Sequence, residues 1–153
     1  IVNGVSSKSI NFTQSYRGTL ATNFKDKPNL EIGYSYNKRM YELGGNKNYF
    51  YTDSPFVKLD AYFGKGFVFT ADYSYNYYRN QDVTLNEYRF LEADLSYTKE
   101  GSKWEFGVGV TNLFNDTSIN RDSFNELYSE TRSYVIQPRY TVFRIKYDLT
   151  ALN

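Results

Sequence analysis

The sequence predicts an all-β fold, an antiparallel transmembrane β-barrel, on three observations. Apolar and polar residues alternate along several segments of roughly ten residues, the length of strand that crosses a bilayer at a tilt. The chain holds 17 Tyr and 12 Phe in 153 residues, and rings favour both strands and the membrane interface. No apolar run approaches the eighteen or so residues of a helical span, and mean hydropathy is negative, as it is for strands that are half polar by construction.

The first strand is expected from Ile10 to Thr22, with Phe12, Tyr16 and Leu20 on one side and Thr13, Ser15, Arg17 and Thr19 on the other. A turn at Lys25-Asp26-Lys27-Pro28-Asn29 follows, rich in turn formers. The second strand, Leu30 to Tyr41, sets Leu30, Ile32, Tyr34, Tyr36 and Met40 against Glu31, Gly33, Ser35, Asn37 and Arg39. Lys38 interrupts its apolar face near one end, where a long side chain can snorkel. Glu42 to Pro55 reads as irregular, and contains Gly44-Gly45 and the cluster Tyr49-Phe50-Tyr51.

The third strand, Phe56 to Phe63, joins the fourth, Phe67 to Tyr77, through Gly64-Lys65-Gly66, whose glycines admit the positive φ of a tight hairpin. The fourth shows the strongest alternation: Phe67, Phe69, Ala71, Tyr73, Tyr75 and Tyr77 on one face. A polar loop from Tyr78 to Asn86 leads to the fifth strand, Glu87 to Lys99, and the short turn Lys99 to Lys103 leads to the sixth, Trp104 to Leu113. A long polar loop, Asn115 to Pro138, precedes the closing strand, Arg139 to Leu149, where Phe143, Ile145, Tyr147 and Leu149 share a face.

Composition narrows function. The chain has 18 Lys and Arg, 17 Asp and Glu, and neither His nor Cys. Its scattered cations give no footprint for nucleic acid. Zinc sites and nucleophilic triads lose their usual residues, and no catalytic residue, cofactor site or metal site is expected. With no initiator Met or leader, the sequence reads as a mature product or as part of a longer polypeptide.

Short turns near Lys25, Gly64 and Lys99 alternate with longer loops after Tyr41, Tyr78 and Phe114. Outer-membrane barrels place short turns in the periplasm and long loops outside, so a bacterial outer-membrane location is expected. On that orientation Phe63, Phe67, Tyr97, Trp104 and Tyr147 form an aromatic girdle at the periplasmic edge, and Tyr36, Tyr75 and Tyr77 a second near the outer edge. A soluble antiparallel sandwich also alternates, but its strands run nearer five or six residues. Bacterial barrels close with an even number of strands and cannot leave an edge in lipid. About seven strands therefore imply the C-terminal part of a larger barrel, spanning 1–153, with earlier strands outside this sequence.

Phe106-Gly107-Val108-Gly109-Val110-Thr111-Asn112-Leu113-Phe114-Asn115, followed by Gln137-Pro138-Arg139-Tyr140 and Thr141-Val142-Phe143, resembles the late-barrel segment of TonB-dependent outer-membrane receptors. The high Tyr, Asn and Lys usage suits a Bacteroidota-type member. The resemblance implies about 22 strands around a plugged lumen, a plug domain outside this sequence, and import of a scarce ligand such as a metal chelate, a cofactor or an oligosaccharide. It also implies as partners outer-membrane lipid, the barrel-assembly machinery, the TonB complex through the parent chain, and a surface lipoprotein. Leu149 followed by Thr150-Ala151-Leu152-Asn153 departs from the usual terminal aromatic. The alternative is a smaller outer-membrane barrel acting as an enzyme, an adhesin or a porin-like structural protein.

Individual residues carry further expectations. Phe143, Ile145, Tyr147 and Leu149 either signal to the assembly machinery or simply face lipid, and a charge at Ile145 costs about 2–4 kcal/mol if it sits near the midplane. Tyr49, Phe50 and Tyr51, with Arg121 and Arg132 in the last loop, either grip a ligand at the outer mouth or pack one loop on another. Glu92, Asp94 and Glu105 share the lumenal side, as an acid/base pair or as partners of Lys and Arg on the wall or plug. Asn115-Asp116 and Asn120 to Asp122 offer oxygens to calcium, at a spacing unlike an EF-hand.

Overall fold

The computed structural model describes residues 9–25, 28–124 and 129–149. Among them are nine strands: β1 (Ser9–Ala21), β2 (Asn29–Leu43), β3 (Asn46–Phe63), β4 (Phe67–Asn80), β5 (Val83–Thr98), β6 (Trp104–Thr111), β7 (Ser118–Phe124), β8 (Ser129–Val135) and β9 (Tyr140–Tyr147). Seven form one antiparallel sheet in the order β1-β2-β3-β4-β5-β6-β9, and β7 pairs with β8 in a separate hairpin. The fold is all-β, and the large sheet is open, with β1 and β9 at its edges.

Cross-strand partners share a face, so the register sorts the side chains into two surfaces. One carries Leu20, Ile32, Val57 and Tyr73 in one row and Phe143, Val108, Leu95 and Phe69 in another. The other carries Arg17, Ser35 and Ser54 in one row and Lys146 and Glu105 in another. Only Tyr41 and Phe50 are buried among the described hydrophobic side chains, whereas Leu20 is 73% exposed, Ile145 69% and Phe143 82%. Among the described residues no second layer of the sheet covers the apolar face. A soluble sheet of strands this long buries one face against another element.

Three expected loops are strands or contain them. Glu42 to Pro55 is not irregular: β2 runs to Leu43, β3 starts at Asn46, and only Gly44-Gly45 turns, both at positive φ (57° and 85°) as a two-residue hairpin requires. Tyr78 to Asn86 likewise reduces to Gln81-Asp82 between β4 and β5. Asn115 to Pro138 contains the β7–β8 hairpin. The cause is common to all three: beyond the apolar band both faces are polar or aromatic, so alternation fades while the hydrogen-bond ladder continues. Short and long connections therefore do not alternate as expected. The asymmetry lies instead in the overhang of β2 to β5 past the band, at the end that also bears the hairpin.

The opposite end closes tightly. Asn29 accepts from the Phe24 amide at 2.6 Å and donates to the Phe24 carbonyl at 2.9 Å; Asp26 and Lys27 lie outside the described residues. Gly66 accepts from the Thr98 amide at 2.8 Å, and a Cβ there would run into the Thr98 carbonyl.

Candidate functional site

Two surfaces of the sheet and one hydrogen-bonded node hold the candidate residues. On the apolar face, Phe63, Phe67, Tyr97 and Phe106 make one row across β3 to β6, and Trp104 opposite Tyr147 carries it to β9. Ring centroids stand 5.8 Å apart for Phe63 and Phe67, 4.5 Å for Phe67 and Tyr97, and 4.7 Å for Trp104 and Tyr147. The five residues expected as a girdle thus adjoin one another. Phe106, stacked 6.4 Å from Trp104, belongs with them and was legible in the same alternation.

Tyr36 and Tyr77 both stand opposite Asp53, and Tyr75 stacks on Tyr77 at 6.4 Å. From Phe67 to Tyr77 the strand spans roughly 34 Å at about 3.4 Å per residue, which is about 24 Å of height at a tilt of about 45°. An outward apolar band of a membrane barrel is about 25 Å tall. Phe143, Ile145 and Tyr147 face the same way from the β9 edge, opposite Val108, Phe106 and Trp104, and Leu149 lies past the end of the strand.

The polar face is ionic. Arg144 on β9 pairs with Asp94 on β5 at 2.6 Å, Lys146 with Glu105 at 3.4 Å, and Lys58 with Asp72 at 3.6 Å. Glu92 stands opposite Asp72 in the register. Two members of the expected carboxylate trio are therefore held by cations of β9, the arrangement opposed to an acid/base pair. A groove of about 650 Å³ runs across this face from the end of β1 to β9, lined by Lys58, Asp60, Asp72, Glu92, Asp94 and Arg144 among others.

The expected ligand residues divide. Tyr49 and Tyr51 point to the apolar side of β3, but Phe50 points to the polar side, where it is 4% exposed and stacks on Tyr78 at 6.1 Å. Strand alternation splits the triplet, so it is not the loop cluster that adjacency in sequence suggests. Arg121 on β7 is the register partner of Arg132 on β8, in the other sheet. Arg132 donates to Glu130 at 2.7 Å, which holds the Glu130 carboxyl below the usual carboxylate range and pushes the guanidinium up.

Sequence reasoning gave Asn112 no physical role, yet it is the most enclosed side chain described, 0% exposed with φ at 53°. Asn tolerates that left-handed backbone better than most residues. Its amide donates to the carbonyls of Asp116 and Gln137, each at 2.9 Å. Asn115 Oδ1 accepts from the Arg139 amide at 2.9 Å, and the Arg139 guanidinium donates to the Leu113 carbonyl at 3.4 Å. Asp116 accepts from the Arg89 amide at 2.6 Å, and the Arg89 guanidinium lies 5.1 Å over Phe114.

The segments Asn112 to Asn115 and Gln137 to Arg139, far apart in sequence, thus form one node that closes the base of the β7–β8 excursion. Comparison of the chain with protein-family models, with curated proteins and with solved structures returns no match. In the node, Asn115 Oδ1 and Asp116 Oδ2, two of the oxygens expected to suit calcium, accept from backbone amides. Asn120 and Asp122 lie in β7, and their side chains fall outside the described ones.

Proposed function

We propose that the chain is the late wall and outer overhang of a TonB-dependent outer-membrane receptor that imports a scarce ligand, a metal chelate, a cofactor or an oligosaccharide. One observation carries the membrane part: a single-layered sheet whose exposed apolar face is bounded by aromatic rows about 24 Å apart, while its reverse face is polar and ion-paired. Lipid is the solvent that suits the first face and a wet interior the second. The receptor part rests on the resemblance of two segments, and their union in the Asn112 node supports reading them as one feature. The long strands and the hairpin then stand outside the cell and the tight turns in the periplasm. Earlier strands of the parent chain pair with the edges of β1 and β9, since unpaired backbone is costly in lipid.

Fractionation of cells making the full-length protein tests this directly. The reading expects the protein in the outer membrane, extracted only by detergent and migrating faster before boiling than after. Recovery in the soluble fraction contradicts it.

A further inference from the structure

Lys38, Tyr51 and Arg79 form one row across β2, β3 and β4 on the apolar face. The Lys38 ammonium lies 5.8 Å and the Arg79 guanidinium 4.8 Å from the centre of the Tyr51 ring, so one ring serves two cations. Lys38 also rests 5.2 Å over Tyr49. Asp53 is the nearby carboxylate, 3.7 Å from Arg79 and hydrogen-bonded by the Tyr34 hydroxyl. Elsewhere on this face cations are matched, Lys47 by Glu42 and Arg89 by Asp116. Lys38 has no carboxylate within ion-pair distance among the described residues, and Arg79 Nε is buried without an acceptor. The row keeps a surplus positive charge.

Its height matters as much as its charge. The row lies two residues beyond Tyr36, Asp53 and Tyr77, which end the band, and so about 5 Å higher along the strands at about 3.4 Å per residue and a tilt of about 45°. That places it just above the upper edge of a band about 24 Å tall, where a lysine stem reaches out of the apolar zone. In hydrocarbon two such cations are costly, whereas at head-group depth they meet lipid phosphates. Ile32 and Tyr34 on β2 lead down from the row as an apolar track for an acyl chain.

We propose that the Lys38–Tyr51–Arg79 row binds the phosphate of an anionic lipid head group on the outside of the wall. This rests on the proposal above that the apolar face meets lipid. Native mass spectrometry of the full-length protein in mild detergent tests it, with phosphatidic acid and diacylglycerol of identical chains as probes and inorganic phosphate as competitor. Phosphatidic acid is retained and diacylglycerol is not. Lys38→Gln, which leaves the Arg79–Asp53 pair intact, weakens retention about fivefold, and Lys38→Gln with Arg79→Gln about thirtyfold. Lys65→Gln, at the opposite end, leaves it unchanged. Equal retention by the wild type and the double variant overturns the inference, as does displacement by inorganic phosphate at equal concentration. A protein that stays soluble without detergent instead removes the membrane reading itself; one that requires detergent but shows no phosphate preference removes this inference alone.

Discussion

The Arg144 guanidinium crosses the bare backbone of Gly107 to reach Asp94 at 2.6 Å, tying the last strand to β5 over the top of β6. A Cβ at Gly107 would stand 3.0 Å from Arg144 Nη2, and one at Gly109 would stand 2.7 Å from Asp94 Oδ2. The glycines of the Gly-Val-Gly-Val run thus clear a track for an ion pair, while the valines between them serve the apolar face. Both partners are partly exposed, so solvent screening keeps the contribution of the pair small. Gly109→Ala and Asp94→Asn are each expected to lower stability slightly, and together little more than either alone, because both remove the same contact. Urea unfolding of the refolded protein in detergent or vesicles measures the cycle.

Charge scanning along β9 gives a depth profile. Ile145 stands opposite Phe106 in the aromatic row near the turn end, and Phe143 two residues farther from that end. If the apolar face meets lipid as proposed, Phe143 is the deeper of the two, about 10 Å above Tyr147 at about 3.4 Å per residue and a tilt of about 45°. Phe143→Arg is expected to cost about 2–4 kcal/mol, Tyr147→Arg about 0–1, and Ile145→Arg a value between them. Unfolding free energies in lipid vesicles check the order.

Asn112→Ala removes two hydrogen bonds to part-buried carbonyls and puts alanine at a φ of 53°. The expected loss is about 2–4 kcal/mol. It is local, appearing as faster tryptic cleavage within 115–138 while the large sheet keeps its protection. Equal protection of the hairpin in the variant contradicts the role given to this residue.

The Glu130–Arg132 pair sets a pH dependence on the hairpin. Arg132 lowers the folded carboxyl, so the unfolded state binds the proton more readily, and the stabilisation is present above the ordinary carboxylate value of about 4.3. It is lost as pH falls through the lowered folded value. Amide exchange of β8 is expected to accelerate on acidification beyond the intrinsic rate change, and Glu130→Gln to abolish that acceleration.

What the sequence made legible was the part of each strand with unlike faces. Leu30 to Met40 and Phe67 to Tyr77 alternate because one side is apolar, and their faces in the sheet match that alternation. Tyr49-Phe50-Tyr51 and Tyr78 to Asn86 look like loops in sequence because an aromatic or polar residue on both faces leaves no period to detect. The Lys146–Glu105 pair was half legible: the shared face follows from parity, but the partner strand depends on β7 and β8 folding aside so that β9 can meet β6. The Asn112 node was visible only as two short motifs. Its hydrogen bonds join residues that no local pattern brings together.

The central claim is that alternate residues of these strands meet lipid and water. The chain contains no cysteine, so single cysteines introduced in turn from Val142 to Tyr147 report their surroundings without background from this segment. Spin-labelled in the reconstituted full-length protein, positions 143, 145 and 147 are expected to respond to oxygen dissolved in lipid, and positions 142, 144 and 146 to an aqueous nickel chelate. A profile without the two-residue period, or chelate access at 143 and 145, contradicts the account.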